Sequence, residues 1–473
     1  MSARVCPIRH WAERTPEAIA VIGEGRVWRY RDLDLEVTRK EEALRALGAR
    51  LKSRIAVLGW NSVQKICDFH AAARVGATWV PLNARLAVPE RDALLHRIRP
   101  ALVLGEGDIA RQVDADMGTD GEAPRAILFT SGTTGTPRGA ELTFGNFDAL
   151  ARASGANLGA DPAQRWLLCM PMFHIGGLAL VHRCAVYGAS VVLHERFDAH
   201  AVLRSLHEDD ITHLSVVPTQ LKWLLDADGR RAPPHLRAVL VGGAAASADL
   251  LARARERGFP VLHTYGLTEA CSQVATERLA EADGTTSGRP LDGVEVRIDR
   301  DGGIQVRGPT VMRGYFEDAT ATANVFTEDG WLKTGDLGEL DERGRLKVHA
   351  RRSDLIVSGG ENVYPAEIEA VLARHPAIAE AAVTALPDPT WGQVPAALWV
   401  ARPAMEPLPT EASLIAFCRA HLAGFKVPRR FAQVPALPRT ANGKLDRKAI
   451  AAHFAVPEVH EVLNLVNEHD QRT

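Results

Sequence analysis

The sequence predicts an α/β protein in two parts. A large N-terminal body of mostly parallel sheets covered by helices carries a β-rich subdomain, and a small α+β C-terminal domain follows. Three observations predict it. Up to about Tyr265, short β-branched runs alternate with longer segments of three-to-four spacing. After about Thr285, the runs become short alternating strands joined by Gly-containing turns. At 350–354 a charged junction, ARRSD, opens a mixed region that runs to the end of the chain.

The apolar runs at 18–22, 54–59, 126–129, 190–194, 212–217 and 237–243 read as strands, each bounded by charged or Gly-containing turns. Between them, 32–50, 63–75, 199–209 and 247–257 have helical spacing. Strand alternating with helix implies parallel sheets with helices on their faces. The runs at 294–298, 303–308 and 344–350 form the β-rich part. Beyond the junction, 366–374 and 413–422 read as helices, and 381–386 and 396–401 as strands. The boundaries are thus 1–350 and 351–473, within a chain of 473 residues, roughly three typical domains long. The tail after Val456 is polar and expected to be loosely held.

Composition excludes several classes of function. The 56 Lys and Arg against 58 Asp and Glu leave a formal net charge of -2, so no overall basic field exists for nucleic acid or an anionic membrane. Any anion site must be local. The six cysteines, Cys6, Cys67, Cys169, Cys184, Cys271 and Cys418, are never in a CxxC pair, which fits reduced thiols in a cytoplasm. No N-terminal signal and no run of roughly 18 apolar residues is visible, so a cytoplasmic protein without membrane insertion is expected. A homo-oligomer stays open.

The strongest chemical signal is ILFTSGTTGTPRGAELT at 127–143. An apolar strand runs into Thr130, Ser131, Gly132, Thr133, Thr134, Gly135, Thr136, Pro137, Arg138 and Gly139. Glycines let successive N–H groups turn inward and hydroxyls add donors, so such a loop cradles phosphate oxygens. Neither Walker A spacing nor a GxGxxG after a strand is present. A Ser/Thr/Gly-rich surface turn is the plain alternative. Five hydroxyls, three glycines and a cation within ten residues, directly after an apolar strand, favour the anion site.

This segment resembles the phosphate loop of the adenylate-forming superfamily of acyl-CoA synthetases, luciferases and peptide-synthetase adenylation domains. Further blocks follow in the order of that superfamily, and the resemblance runs from about Thr15 to Ile450. It implies ATP contacts from Thr130, Ser131, Gly132, Thr133, Thr134, Gly135 and Arg138, and from Gly243 and Ala244. In Tyr265-Gly266-Leu267-Thr268-Glu269 it implies an aromatic ring on adenine, a Thr at the α-phosphate and a Glu that binds magnesium. Asp336, in TGD at 334–336, and Arg351 are implied at the ribose. Lys444, in PRTANGKLDRK at 438–448, is implied as the catalytic lysine. Arg138 stands where the superfamily usually has lysine. At the junction Ser353 precedes Asp354, which leaves the hinge residue open between them.

Each role also has a chemical reason. A carboxylate is a poor electrophile until transfer to the α-phosphorus of ATP gives it AMP as leaving group. A point charge such as Lys444 stabilises negative charge that accumulates in that step. In the superfamily the small domain swings between two poses, so it acts as a mobile lid. The Gly359-Gly360 pair would let backbone approach the pantetheine chain of coenzyme A closely.

The acid is chosen by other segments. FHIGGL at 173–178, SVVPTQL at 215–221 and VGGAA at 241–245 are where this fold lines its acyl site, which implies His174, Ser215, Thr219, Gly242 and Gly243 at the substrate, with His174 also catalytic. Lys222 or Arg183 is a candidate charge. His174 stands where amino-acid adenylation domains usually place Asp, which argues against an α-amino acid. These segments, with TFGNF at 143–147 and CSQVAT at 271–276, are most similar to the o-succinylbenzoate:CoA ligase family of menaquinone biosynthesis. The expected activity is an ATP-, Mg²⁺- and coenzyme A-dependent ligase for that acid. Alternatives are a ligase for another aryl or aliphatic acid, a loader of a separate carrier protein, a luciferase-like oxygenase and a non-catalytic nucleotide binder.

Overall fold

The computed structural model describes residues 6–86, 88–105, 111–112, 124–130, 137–244, 246–351, 354–358, 361–403, 407–440 and 445–455. The chain divides into two compact units. One runs to Thr334 and includes Gly338–Val348; the other takes Gly335–Leu337 and the chain from His349 onward.

The first unit is built on two large sheets. In the nine-stranded sheet, Val261–Leu267, Ala238–Val241, His213–Val216, Arg165–Leu168, Ser190–Leu193 and Ile19–Gly23 lie side by side, all parallel. Antiparallel strands finish both edges, Arg26–Arg29 at one and Ser272–Thr276 with Arg289–Pro290 at the other. A short hairpin reaches an edge without the long crossover that a parallel neighbour needs. The interior strands are Val- and Leu-rich and buried on both faces. His213–Val216 and Ala238–Val241 are buried at every position, which is why they read as continuous apolar runs.

The seven-stranded sheet has the order Gly314–Tyr315, Arg138–Leu142, Ala126–Thr130, Thr78–Pro81, Arg54–Val57, Leu102–Leu104, Arg111–Gln112. Its central pairs are parallel, whereas Ala126–Thr130 and Arg138–Leu142 form an antiparallel hairpin. The β-rich stretch forms Glu295–Ile298, Gly303–Arg307, Leu332–Leu340 and Leu346–Arg351 in a four-stranded sheet.

Capping residues set several helix limits that periodicity misjudges. The expected 32–50 helix is Tyr30–Ala46, because the Asp32 carboxylate accepts the Arg29 backbone N–H at 3.1 Å and so sits inside the first turn. The expected 413–422 helix is Glu411–Arg419, capped by Thr410, whose hydroxyl accepts from the Ser413 N–H. The run 63–75 is the helix Val63–Val75, ended by Gly76 at φ +79°.

In the second unit, Ile378–Asp388 and Gly392–Ala401 pair antiparallel, with Ile356–Ser358, Glu361–Val363 and Arg430–Gln433 beside them. Val383, Ala397 and Trp399 pack with Ile368, Leu372, Leu414 and Cys418, while Ala382, Ala396 and Leu398 pack with Ile450 and Phe454. Both faces of these two strands are therefore covered. All six cysteines are free thiols. Burial pushes Cys169 and Cys184 up to about 12 and Cys418 up to about 11, so these are packing residues rather than nucleophiles. No helix among the described residues is long and apolar enough to cross a membrane.

Candidate active site

Strand order in the nine-stranded sheet reverses at Arg165–Leu168. From there the chain first adds Ser190–Leu193 on one side and then crosses to His213–Val216 on the other. In open parallel sheets, the carboxyl ends of the strands flanking such a reversal leave a crevice where ligands bind. The FHIGGL segment follows Arg165–Leu168, and Val217, Pro218 and Thr219 follow His213–Val216. His174 precedes the helix Ile175–Tyr187 as its N-cap, and Thr219 lies in the first turn of Pro218–Ala227. Ser215 is buried within its strand. The structure thus places all three of these predicted substrate residues at the reversal.

A side chain overlooked in the sequence holds this loop. Buried Asn61 donates its amide to the Met170 carbonyl at 3.0 Å and the His194 carbonyl at 3.2 Å, and accepts from the Met172 N–H at 2.8 Å. Phe173 then packs edge-on against Trp60, with ring centroids 5.5 Å apart. Gly177 is required where it stands: a Cβ there would lie 2.4 Å from the Pro171 carbonyl oxygen.

Gly242, Gly243 and Ala244 leave the next strand, Ala238–Val241. A Cβ on Gly242 would sit 2.6 Å from Thr264, and one on Gly243 would touch Val217 at 3.4 Å, so this turn runs between the strand Val261–Leu267 and the loop after His213–Val216. Beyond it, Val261–Leu267 carries Tyr265 and Gly266 and runs into the short 3₁₀ turn Thr268–Ala270. Cys271 at φ +55° and Ser272 at φ +99° fold the chain back. That reversal is tight enough for the Ser272 carbonyl oxygen to fall 1.7 Å from any Cβ on Gly266.

Glu269 is joined to the hairpin of Ala126–Thr130 and Arg138–Leu142 through Tyr315. The Tyr315 phenol donates to Glu269 Oε1 at 2.9 Å, and the Arg138 guanidinium lies 5.6 Å from the Tyr315 ring centre. The Met312 N–H donates to the Glu269 carbonyl at 2.8 Å, and Gly314–Tyr315 pairs with the strand that begins at Arg138. Burial first, and Glu269 next, push the Tyr315 phenol well above its ordinary range, so it stays a donor. Thr130, facing Arg138 across the hairpin, donates its hydroxyl to the Arg138 carbonyl at 3.4 Å. Thr130, Arg138 and Glu269 are therefore brought to one place.

Other predicted residues are placed differently. Ser131, Gly132, Thr133, Thr134 and Gly135 lie outside the described residues, as do Gly359, Gly360, Ser353 and Lys444. Arg351 is described in its backbone, as the last residue of Leu346–Arg351. Asp336 belongs to the second unit, 6% exposed, after Gly335 at φ +79°. In that unit Arg439 and Leu445 form an antiparallel bridge on either side of 441–444. Arg447 binds both Glu369 and the hinge candidate Asp354, the latter at 3.6 Å. Of the two candidate charges, Lys222 pairs with Asp226 on its own helix at 2.9 Å. Arg183 is buried, with its guanidinium on Ser154 and Gln273, each at 2.9 Å, and 4.1 Å from the Trp166 ring centre.

Magnesium can be tested against Glu269. One carboxylate oxygen accepts the hydrogen bond from the Tyr315 phenol and the other remains for a cation, and no group of three His, Cys, Asp or Glu suited to a metal occurs among the described residues. A single carboxylate suits a largely hydrated Mg²⁺ that arrives on nucleotide phosphates rather than a resident metal in an all-protein cage.

Comparison with known proteins identifies the family. A model of the AMP-binding enzyme family matches residues 8–121 and 110–316, and one of the AMP-binding enzyme C-terminal domain matches 367–444. The 2-succinylbenzoate–CoA ligase of Bacillus subtilis is 38% identical over 476 residues, covering 93% of this chain and 96% of that one. Its Bacillus velezensis counterpart is 40% identical over 475 residues, covering 92% and 95%. Among solved structures, o-succinylbenzoate CoA synthetase (MenE) from Bacillus subtilis in complex with the acyl-adenylate intermediate OSB-AMP superposes with a TM-score of 0.87 at 36% identity, over 95% of this chain and 98% of that chain. ATP-bound MatB from Rhodopseudomonas palustris gives 0.87 at 25% identity over 95% and 98%. The chain belongs to the AMP-binding enzyme family.

Proposed function

We propose that the protein is an AMP-forming 2-succinylbenzoate–CoA ligase of menaquinone biosynthesis, acting in the cytoplasm on small molecules and without a nucleic-acid partner. The observation that carries the reading is likeness of 38–40% identity to 2-succinylbenzoate–CoA ligases along more than nine tenths of both chains. The grouping of Thr130, Arg138 and Glu269 around Tyr315 supports it chemically.

In the first step the aliphatic carboxylate oxygen bonds to the α-phosphorus of ATP and the bond to pyrophosphate breaks, giving acyl-AMP and pyrophosphate. Thr130, the 131–135 loop and Arg138 hold phosphate oxygens, Thr268 meets the α-phosphate, and Glu269 faces the magnesium that accompanies the nucleotide. Bound there, the cation would neutralise phosphate charge. Tyr265 with Gly266 packs on adenine, Asp336 and Arg351 hold the ribose, and Gly243 and Ala244 line the turn beside it. Lys444 stabilises the charge that accumulates between carboxylate and phosphorus. His174, Ser215, Thr219, Gly242 and Gly243 enclose the acid. In the second step the coenzyme A sulfur bonds to the carbonyl carbon, its proton passes to solvent and AMP leaves, with Gly359 and Gly360 along the pantetheine. Residues 1–350 form the nucleotide- and acyl-binding domain in this reading, and 351–473 the mobile lid.

The test is mass spectrometry of the product from ATP, Mg²⁺, coenzyme A and 2-succinylbenzoate, alongside AMP release over a panel of acids. The expected product is 2-succinylbenzoyl-CoA. Preference for benzoate, a fatty acid or acetate overturns the assigned acid, and transfer to a carrier protein in preference to coenzyme A overturns the assigned acceptor.

A further inference from the structure

Glu277 takes no part in the chemistry above, yet its carboxylate is 2% exposed and fully engaged. Oε2 accepts from the His263 backbone N–H at 2.7 Å and from the Arg255 guanidinium at 3.3 Å. Oε1 accepts from the N–H groups of Asp283 at 3.0 Å and Gly284 at 2.7 Å. The Glu277 N–H donates to the His263 carbonyl at 3.0 Å, and the Asn157 amide donates to the Glu277 carbonyl at 3.3 Å. His263 is thus gripped at both its backbone atoms by one residue.

The position of His263 gives that grip its meaning. The last parallel pair of Val261–Leu267 with its neighbour joins Val241 to His263. At the next residue, Thr264, antiparallel pairing with Ser272–Thr276 begins. Everything beyond, Tyr265, Gly266, Thr268 and Glu269, projects from the parallel sheet as an arm rooted at His263. The side of that root away from Ala238–Val241 is held by the Glu277 carboxylate. A buried carboxylate is costly unless its lone pairs are filled, and these are filled by three backbone N–H groups and a guanidinium. Loss of the acceptor would leave those three part-buried N–H groups without this partner.

We infer that Glu277 is a positioning residue, which sets the angle at which the 265–269 arm meets the nucleotide. This rests on the ligase reading, because it takes Tyr265 as the adenine platform. Glu269, at the far end of the arm, is held independently by the Tyr315 phenol and the Met312 N–H, so the position of Tyr265, two residues from the root, depends most directly on Glu277.

The test is Glu277→Gln, which keeps the volume but turns an amide NH₂ toward one pair of donors. In pyrophosphate–ATP exchange with 2-succinylbenzoate, KM for ATP is expected to rise about tenfold with kcat within about threefold of wild type, the signature of lost ground-state binding. KM for coenzyme A in the complete reaction stays unchanged. A brace of purely structural importance lowers Tm and leaves KM for ATP where it was, and that result overturns the inference. Asn157→Ala, which removes only the bond to the Glu277 carbonyl, is the control and lowers Tm without moving KM. If Glu277→Gln gives no folded protein, Arg255→Ala reads the same effect at about twofold to threefold in KM; no change there also overturns the inference. Absence of exchange in the wild type overturns the ligase reading instead, so the two failures are distinct.

Discussion

Tyr315 shows how much can hang on one phenol. It links Glu269, in the turn after Val261–Leu267 of one sheet, to the strand that begins at Arg138, next to the edge of another. Tyr315→Phe keeps the ring under Arg138 and deletes the donor. The Glu269 carboxylate then loses a partly buried hydrogen bond, worth about 1 kcal/mol or somewhat more because the acceptor is charged. We expect kcat/KM for ATP to fall about tenfold, with Tm little changed; steady-state kinetics over ATP concentration reads it, and an unaltered kcat/KM would sink the role. No local pattern announces Tyr315, because it lies in a two-residue strand whose partner precedes it by more than 170 positions. Arg138 and Glu269 stood out in the sequence because each sits in a block that resembles the adenylate-forming superfamily.

At the scale of elements, the strands and helices that frame the crevice were legible from apolar period alone, since buried strands read as Val/Leu runs and amphipathic helices as three-to-four spacing. What period could not give was the end of an element or the shape of a loop. Those depend on single polar atoms, such as the Asp32 carboxylate at the start of Tyr30–Ala46, or on side chains that act across the fold, as Asn61 does on 170–172. Asn61→Ala removes three hydrogen bonds and leaves two carbonyls and one N–H without that partner. A stability loss of about 2–3 kcal/mol is expected, together with a rise in KM for the acid and none in KM for ATP. Urea unfolding with two-substrate kinetics measures both, and an equal rise in the two KM values would contradict the assignment of 173–178 to the acid.

Across the whole molecule, buried imidazoles set the acid limit of stability. Burial lowers His70, His182, His194 and His263 from their ordinary value, and brings His213, stacked 4.5 Å from Trp166, to about 4. An unfolded histidine titrates near 6.5. Between pH about 6.5 and 4 the unfolded chain therefore binds more protons than the folded one, so stability is complete above that window and drains as pH falls through it. The carboxylate Asp283, lowered to about 2, adds its loss only below the ordinary carboxylate range. Calorimetry from pH 8 to 4.5 should show a flat Tm above about 7 and a steepening fall below 6.5, made shallower by His213→Phe; a flat profile to pH 5 would refute it. None of this was readable from the sequence, because desolvation belongs to the fold and not to the residue.

The reversal of strand order at Arg165–Leu168 has a consequence for descent. Two of the segments assigned to the acid leave Arg165–Leu168 and His213–Val216, whereas the arm and the hairpin assigned to the nucleotide leave other strands, one of them in another sheet; only the turn after Ala238–Val241 is assigned to both. Outside that turn, mutations that retune the choice of acid thus fall on different stretches of gene from those that would damage the use of ATP. Such a scaffold lets lineages wander among acids while the energy-coupling chemistry is inherited intact.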